Sequence, residues 1–539
     1  MLQGKAICSR SIVIDTALVW KIVAVVLYGA VLVLIGRLAS SRMRTIRDFF
    51  AGDKNLGFFN IAFSSRATGE SAWLLLGLTG TGFTLGVLGF WVVLGELIGV
   101  GGAWLFMAKR FKRLTDRYDS ITVPDYLESR LRDSGHGLRL IAAGTLVIFV
   151  PIYAASQVFT TGKAFNAFLG TDHYLGATIG FLIVLFYITK GGFVAVVWSD
   201  VFQGLLMLFG LVLLPIVGIL EAGGVTHLLH TLHTQFPDHL SVTHGEGWTP
   251  LMITKIIGFA AIGIGFLGSP QVFVRFLALK SEREISKGAA VALIWTALAD
   301  SGAVIVGIAG RALFTRADLA GDADNILPVM SQTLLPAFLS GVFIAIVLSA
   351  IMSTIDSLLV VASSAAVRDY WQKTRHPDMS DSSLVHLSKV LTVSLALAAY
   401  AIGIGIIAYN KDNGVFWIII FGWSGIAATF CPVMILSLFW SRLTALASEC
   451  AMVAGFLAVP IFKFVAAPTL VAAGWTGAQD YLGALDVMLP AFLVSGAVAI
   501  VVSLLDRPGQ ARVRVTANDL ASARHAPFRA SHPDPQNRA

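Results

Sequence analysis

Ser64-Ser65-Arg66-Ala67-Thr68-Gly69-Glu70-Ser71-Ala72-Trp73 lies in the middle of an apolar run that extends over 57–83. Ionisable residues at the centre of such a run are costly in lipid, and there they face a cavity or a partner. Gly69 and the hydroxyl residues around it mark a place where a helix can unwind. Unwinding exposes backbone carbonyls, which are ligands for a hard cation such as Na+, and frees a helix N-terminus that can face an anionic group. Arg66 and Glu70 are four residues apart, so on an intact helix they can neutralise each other. Two readings stay open here: a structural ion pair, or a role for Glu70 in cation or proton coupling.

The same solvent surrounds the rest of the chain. Of 539 residues, 56% are hydrophobic and 13% are charged, about half the roughly 25% charge of a soluble domain. The mean hydropathy is +0.77. A helix needs about 20 apolar residues to cross the hydrocarbon, and runs of that length recur from end to end. They do not alternate as the strands of a membrane β-barrel would. The first run, from about Thr16 to Ile35, is long enough to stay as a span rather than serve as a signal peptide. The net charge of +7 fits basic cytoplasmic loops of a multi-spanning protein, so no nucleic-acid partner is expected. Cys8, Cys431 and Cys450 are far apart and have no metal-ligand spacing.

The pattern predicts an all-α integral membrane protein with thirteen spans, near 16–36, 57–83, 86–108, 138–168, 172–190, 198–221, 249–276, 286–312, 335–367, 385–409, 415–440, 446–466 and 484–505. Positive charge gathers in alternate loops, with Arg37, Arg42, Arg44, Arg47 and Lys54 in the first and Lys109, Arg110, Lys112, Arg113 and Arg117 in the third. Residues 222–248 and 466–484 contain no Lys or Arg. The expectation is a cell (inner) membrane protein with an extracytoplasmic N-terminus, 1–15, a transmembrane domain, 16–505, and a disordered cytoplasmic tail, 506–539, rich in Arg and Pro.

Two further clusters sit at membrane depth. Gly258, Gly263, Gly265 and Gly268 precede Pro270, Gln271 and Arg275, a combination that interrupts the helical ladder of the seventh span. The second and seventh spans are five apart, the pointer to an inverted-repeat transporter with repeats at about 57–221 and 249–440. The ninth span carries Ser349-Ala350-Ile351-Met352-Ser353-Thr354-Ile355-Asp356-Ser357. Adjacent hydroxyls here either bond to their own helix or join unwound carbonyls around Na+. Asp356, beside them, reads as a coupling or structural charge, as does Arg66. Asp200 begins a span near the cytoplasmic surface, where capping is the expected role.

In this order the clusters resemble the sodium:solute symporter family, closest in motifs to its sodium/proline symporter branch. The likeness is carried by Thr122-Val-Pro-Asp-Tyr-Leu127, by Gly191-Gly-Phe through Gln203, by Gly268-Ser-Pro-Gln271 with Arg275-Phe276, by Met352-Ser-Thr354, and by Trp423-Ser-Gly425 through Thr444. The resemblance implies a leucine-transporter-like 5+5 inverted repeat with extra flanking helices. It also implies a Na+ site made by the carbonyls of Ala67, Glu70 and Ala350 and the hydroxyls of Ser353 and Thr354. Solute contacts would come from Thr68, Gly69, Ser71, Tyr153, Ile262, Phe266 and Pro270. Two departures stand out. Gly69 replaces an Asp of the branch, with Glu70 next to it. Ile262 and Phe266 replace a Trp and a Tyr, which removes two hydrogen-bond donors and makes the pocket more apolar.

The functional expectation is Na+-coupled symport of a small organic solute, an amino acid or a carboxylate-like molecule, by alternating access. The alternatives are drive by protons or another cation, a transporter-like membrane sensor, and a membrane-embedded enzyme using Glu70, Asp200, Asp300 or Asp356. No nucleophile–base constellation supports the last, and no P-loop pattern accompanies the chain. Composition leaves the oligomeric state open.

Overall fold

The computed structural model describes residues 16–40, 46–188, 192–409 and 415–525. The N-terminal stretch 1–15 with Cys8, the loop residues Arg42 and Arg44, Gly191, and the last residues from 526 with Arg529 and Arg538 lie outside the described residues.

The described chain is helical throughout, because lipid offers no partner for backbone groups and a helix satisfies them within one segment. Its main elements are α1 (Thr16–Ser40), α2 (Phe58–Ala72), α3 (Thr79–Leu85), α4 (Phe90–Gly101), α5 (Ala108–Arg117), α6 (Val123–Leu131), α7 (Gly137–Leu169), α8 (His173–Ile188) and α9 (Phe193–Glu221). Then follow α10 (Pro250–Ala261), α11 (Pro270–Ala278), α12 (Glu284–Leu313), α13 (Ala337–Ser364), α14 (Asp381–Tyr409), α15 (Val415–Phe439), α16 (Ala445–Pro460), α17 (Met488–Leu505) and α18 (Arg507–His525).

Among the described residues, eleven helices have the length and hydropathy to cross a membrane. The difference from thirteen lies in two places. Helix α8 is described over 16 residues, up to the end of a described stretch, and so falls below the length at which a crossing is counted. The stretch Phe58–Arg117 counts as one helix of 60 residues, which at about 1.5 Å per residue is too long for one crossing. Its packing against α12 shows why. Arg66 lies at Trp295 and Gly82 at Val304, so α2 and α3 run in the same sense as α12. Gly89 also meets Val304, while Gly101 meets Leu293, so α4 runs the opposite way. The chain reverses at Gly86, whose φ of +60° suits a residue without a Cβ.

Both expected interruptions are present. Ser71 leaves the helix with φ 52° and ψ −169°, and the freed Ala72 N–H donates to Gln157 Oε1 of α7 at 3.2 Å. Between α10 and α11 the chain passes through Ile262–Leu267 and an extended Gly268, and Pro270 restarts the helix at its first turn. The carbonyls released there are met from α15. Trp423 Nε1 donates to Ile262 O at 3.2 Å and Cys431 Sγ to Gly265 O at 3.3 Å.

The expected disorder of 506–539 fails for α18. Asp506 Oδ1 accepts the Gly509 N–H at 2.9 Å and Pro508 occupies the first turn, a helix-start signature that a composition count overlooks. The helix docks on α5 and α6. Arg130, fully buried, donates to Thr516 Oγ1 at 2.9 Å, and Thr516 Oγ1 donates to Arg130 O at 3.0 Å. Asp519 pairs with Arg117 at 2.5 Å and accepts from Tyr118 Oη at 3.0 Å.

Candidate functional site

The break in α2 faces α13. Ser353 Oγ lies 2.9 Å from Ala67 O and 3.2 Å from Ala350 O, and its one proton serves either carbonyl. Thr354 Oγ1 donates to Thr68 O at 3.1 Å. The backbone oxygens of Ala67, Thr68 and Ala350 and the two hydroxyls that reach them are neutral oxygens on fully buried residues, the kind of donor that suits Na+. The Glu70 carbonyl belongs to the next turn of α2. Of the two readings of the hydroxyls, the bond across to another helix is the one found for Thr354, and Ser353 makes both.

A charged network adjoins this group. Arg275 of α11 donates to Asp200 Oδ2 at 2.9 Å, to Ser64 Oγ at 2.8 Å and to Ser357 Oγ at 2.6 Å. Ser64 Oγ donates to Asp200 at 2.6 Å, and Thr68 Oγ1 shares a proton with Ser357 at 2.9 Å. Asp356 accepts from Ser357 at 3.4 Å. Asp200 is thus not a surface cap: α9 begins at Phe193, which carries Asp200 into the second turn and into full burial. Thr68, expected among the solute contacts, engages this network instead. Ser357 was inside the quoted cluster without a role.

The solute candidates assemble on the other side of the break. Tyr153 and Trp423 have ring centroids 6.4 Å apart, and Trp423 and Phe266 5.1 Å. Gln157 Nε2 lies 3.4 Å from Ser71 Oγ, and among the described residues the buried Tyr153 hydroxyl has no hydrogen-bond partner. Ile262 joins through its carbonyl bond to Trp423. The two departures from the proline branch prove to be one. A Cβ at position 69 would collide with the Phe266 ring, with Cζ at 2.9 Å, so the ring occupies the space that a residue-69 side chain would need. Pro270 stands apart at the start of α11, and among the described residues no hydrogen bond or ring contact joins it to Tyr153 or Ser71. Gln157 and Trp423 carried no sequence signal beyond a polar and an aromatic residue inside apolar spans.

A third group lies on the opposite face of α2. Arg66 pairs with Glu70 and, at 3.5 Å, with Glu96 of α4. Asp300 of α12 completes it: one carboxylate oxygen from each of Glu70, Glu96 and Asp300 lies within 4.8 Å of the others. All four side chains are at most 1% exposed. The Arg66 guanidinium also sits 4.7 Å from the Phe266 ring centre and 5.6 Å from that of Trp295. The Arg66–Glu70 pair expected from spacing exists, and Glu96, an ionisable residue inside a predicted span, was the missed partner.

Two interrupted helices, one of them beside a buried oxygen group, are the arrangement of inverted-repeat membrane transporters. The chain belongs to the sodium:solute symporter family, whose profile matches residues 49–456. It is 32% identical over 483 residues to the high-affinity proline transporter PutP of Bacillus subtilis (strain 168), covering 89% of this chain and 97% of that one. It is 29% identical over 489 residues to the sodium/proline symporter of Escherichia coli (strain K12), covering 90% and 92%. Among solved structures, a Na+-coupled sialic acid symporter in its substrate-bound outward-open state matches with a TM-score of 0.74 over 90% of this chain and 98% of that one. At 19% identity that likeness speaks for the fold, which is of the leucine-transporter type. The chain is a multi-pass membrane protein of a family that carries small solutes with Na+.

Proposed function

We propose that this protein takes up a small organic solute, an amino acid or a similar carboxylate, together with Na+ across the cell membrane by alternating access, and that it has no enzymatic activity. The observation that carries the reading is the approach of Ser353 and Thr354 on α13 to the carbonyls of Ala67 and Thr68 at the break of α2. Ala67, Glu70, Ala350, Ser353 and Thr354 hold the ion. Gly69, Ser71, Tyr153, Ile262, Phe266 and Pro270 shape the solute pocket, with Gln157 and Trp423 added. The repeats run over 57–221 and 249–440, the N-terminus faces outside and the C-terminus inside, in keeping with the basic loops. Relatives named for proline support an amino acid, while the apolar Ile262 and Phe266 favour a solute that offers fewer acceptors than the branch's usual cargo.

The test is uptake into proteoliposomes with a panel of labelled amino acids and small carboxylates under imposed Na+ or H+ gradients. Accumulation driven by Na+ is expected, and its loss in a Ser353→Ala, Thr354→Ala double variant that still inserts. Uptake of none of these solutes under either gradient sinks the symport reading. Unaltered Na+ dependence in the double variant sinks the assigned ion ligands alone.

A further inference from the structure

We infer that Glu70, Glu96 and Asp300 form a second Na+ site, separate from the Ser353–Thr354 group. The inference rests on the symport reading and concerns how many ions the same cycle uses.

Separation follows from helix geometry. Ser64 and Thr68 face Asp200 and Ser357. Arg66 and Glu70 are offset from them by two residues, about 200° around the helix. The two charged groups therefore occupy opposite faces of α2, and the second is walled by α4, α12 and the Phe266 ring. No side chain of the broken segment Ile262–Leu267 carries charge, and the titratable groups that approach from α7 and α15 are Tyr153 and Cys431.

Charge counting then asks for a cation. Three carboxylates and one guanidinium leave a formal charge of −2 in a region without water contact. Arg66 reaches Glu70 and Glu96, but among the described residues Asp300 has no cation within ion-pair distance and no hydrogen bond to either of its buried oxygens. Removing an unpaired charge from water costs several kcal/mol, so a fully buried carboxylate aimed at two others signals a ligand that neutralises it. The donor set consists of oxygens alone, from three separate helices, which suits a hard cation. One bound Na+ lowers the charge from −2 to −1, and membership of a sodium-coupled family favours it over a divalent ion.

The placement gives the site a purpose. Glu70 contributes its carboxylate here and its backbone to the first ion group, one residue before the break at Ser71. An ion on either face of α2 thus holds the same unwound turn, and each binding event favours the other through that shared geometry.

The experiment is equilibrium binding of radioactive Na+ to the purified full-length chain, without solute. The wild type is expected to bind about two ions per chain, and the Ser353→Ala, Thr354→Ala variant to keep about one. Asp300→Asn and Glu96→Gln are each expected to weaken the remaining ion at least about tenfold in that background. One ion per chain in the wild type overturns the inference and leaves symport standing; no Na+ binding at all overturns both. Displacement of the retained ion by Ca2+ at far lower concentration than by Na+ overturns the monovalent assignment. An amide removes charge without removing shape, so Asp300→Asn is expected to fold. If it does not, Glu96→Gln in the same assay decides, and unchanged Na+ binding there rejects the site.

Discussion

Gly69 is decided by what stands next to it. The Phe266 ring lies where a side chain at position 69 would go, so Gly69→Ala overpacks the break and is expected to destabilise by about 1–3 kcal/mol. Pairing it with Phe266→Leu should recover most of the loss, and thermal unfolding of the two singles and the double closes the cycle. Additive losses would show that the two positions do not share the space. At this scale the sequence was legible where chemistry is rare. Arg66, Ser353 and Thr354 are polar groups at membrane depth that each have a partner on another helix, and Glu70 pairs with Arg66 within α2. Asp200 was misread because its role depends on where α9 begins, and five residues of helix start moved it from a cap to a buried pair with Arg275. Gln157 and Trp423 take their roles from a chain break on another helix, which no local pattern encodes.

The elements divide by what ends them. Helix α6 begins at Thr122, whose Oγ1 accepts the Asp125 N–H at 3.1 Å, with Pro124 in the first turn, so the motif read from the sequence is a helix start. Asp125 then receives Arg139 at 2.7 Å and Arg368 at 2.8 Å, which ties α6 to the beginning of α7 and to the extension of α13. The loop after α11 is tied to α5 through Glu282 and Arg113. The Arg113 hydrogen bond holds the Glu282 carboxyl below its ordinary range, so this tie is full at neutral pH and is lost only as pH falls through the depressed value. Helix α18 rests on α6 through Thr516, which both accepts from and donates to Arg130. Thr516→Val leaves a buried guanidinium donor and a carbonyl unmet, an expected loss of about 1–3 kcal/mol per group. Thr516→Ser should keep the stability. Equal melting temperatures for Thr516→Val and the wild type would remove α18 from the account of this face. The spans were legible as composition, while α18 was hidden because only a stripe of it, Gly509, Val513, Thr516, Asp519, Leu520 and Ala523, is buried.

For the whole molecule the question is how much work the ions supply. Each Na+ that moves inward gains about 2.3 kcal/mol per 100 mV, before any concentration term. Two ions with a zwitterionic or singly anionic solute leave net positive charge to cross in every cycle. An inward current is therefore expected when solute is added to Na+-energised proteoliposomes on a solid support. Silence under conditions that do give tracer uptake would mean one ion with an anionic solute, against the second Na+ site. The overall plan was legible because two breaks five spans apart fix the architecture. The reversal at Gly86 was legible only as a boundary, since a helix pattern does not show the direction in which the next helix runs.

The docking of α18 also sets an order of assembly. Arg130 finds Thr516 across 386 positions of sequence, and Arg113 finds Ala523 across 410. At about 5–20 residues per second, roughly twenty to eighty seconds of synthesis separate each arginine from its partner. Until then that face of the early helices lacks these two partners. Among the described helices α18 is thus the last to emerge, and it completes contacts with α5 and α6 that were made early.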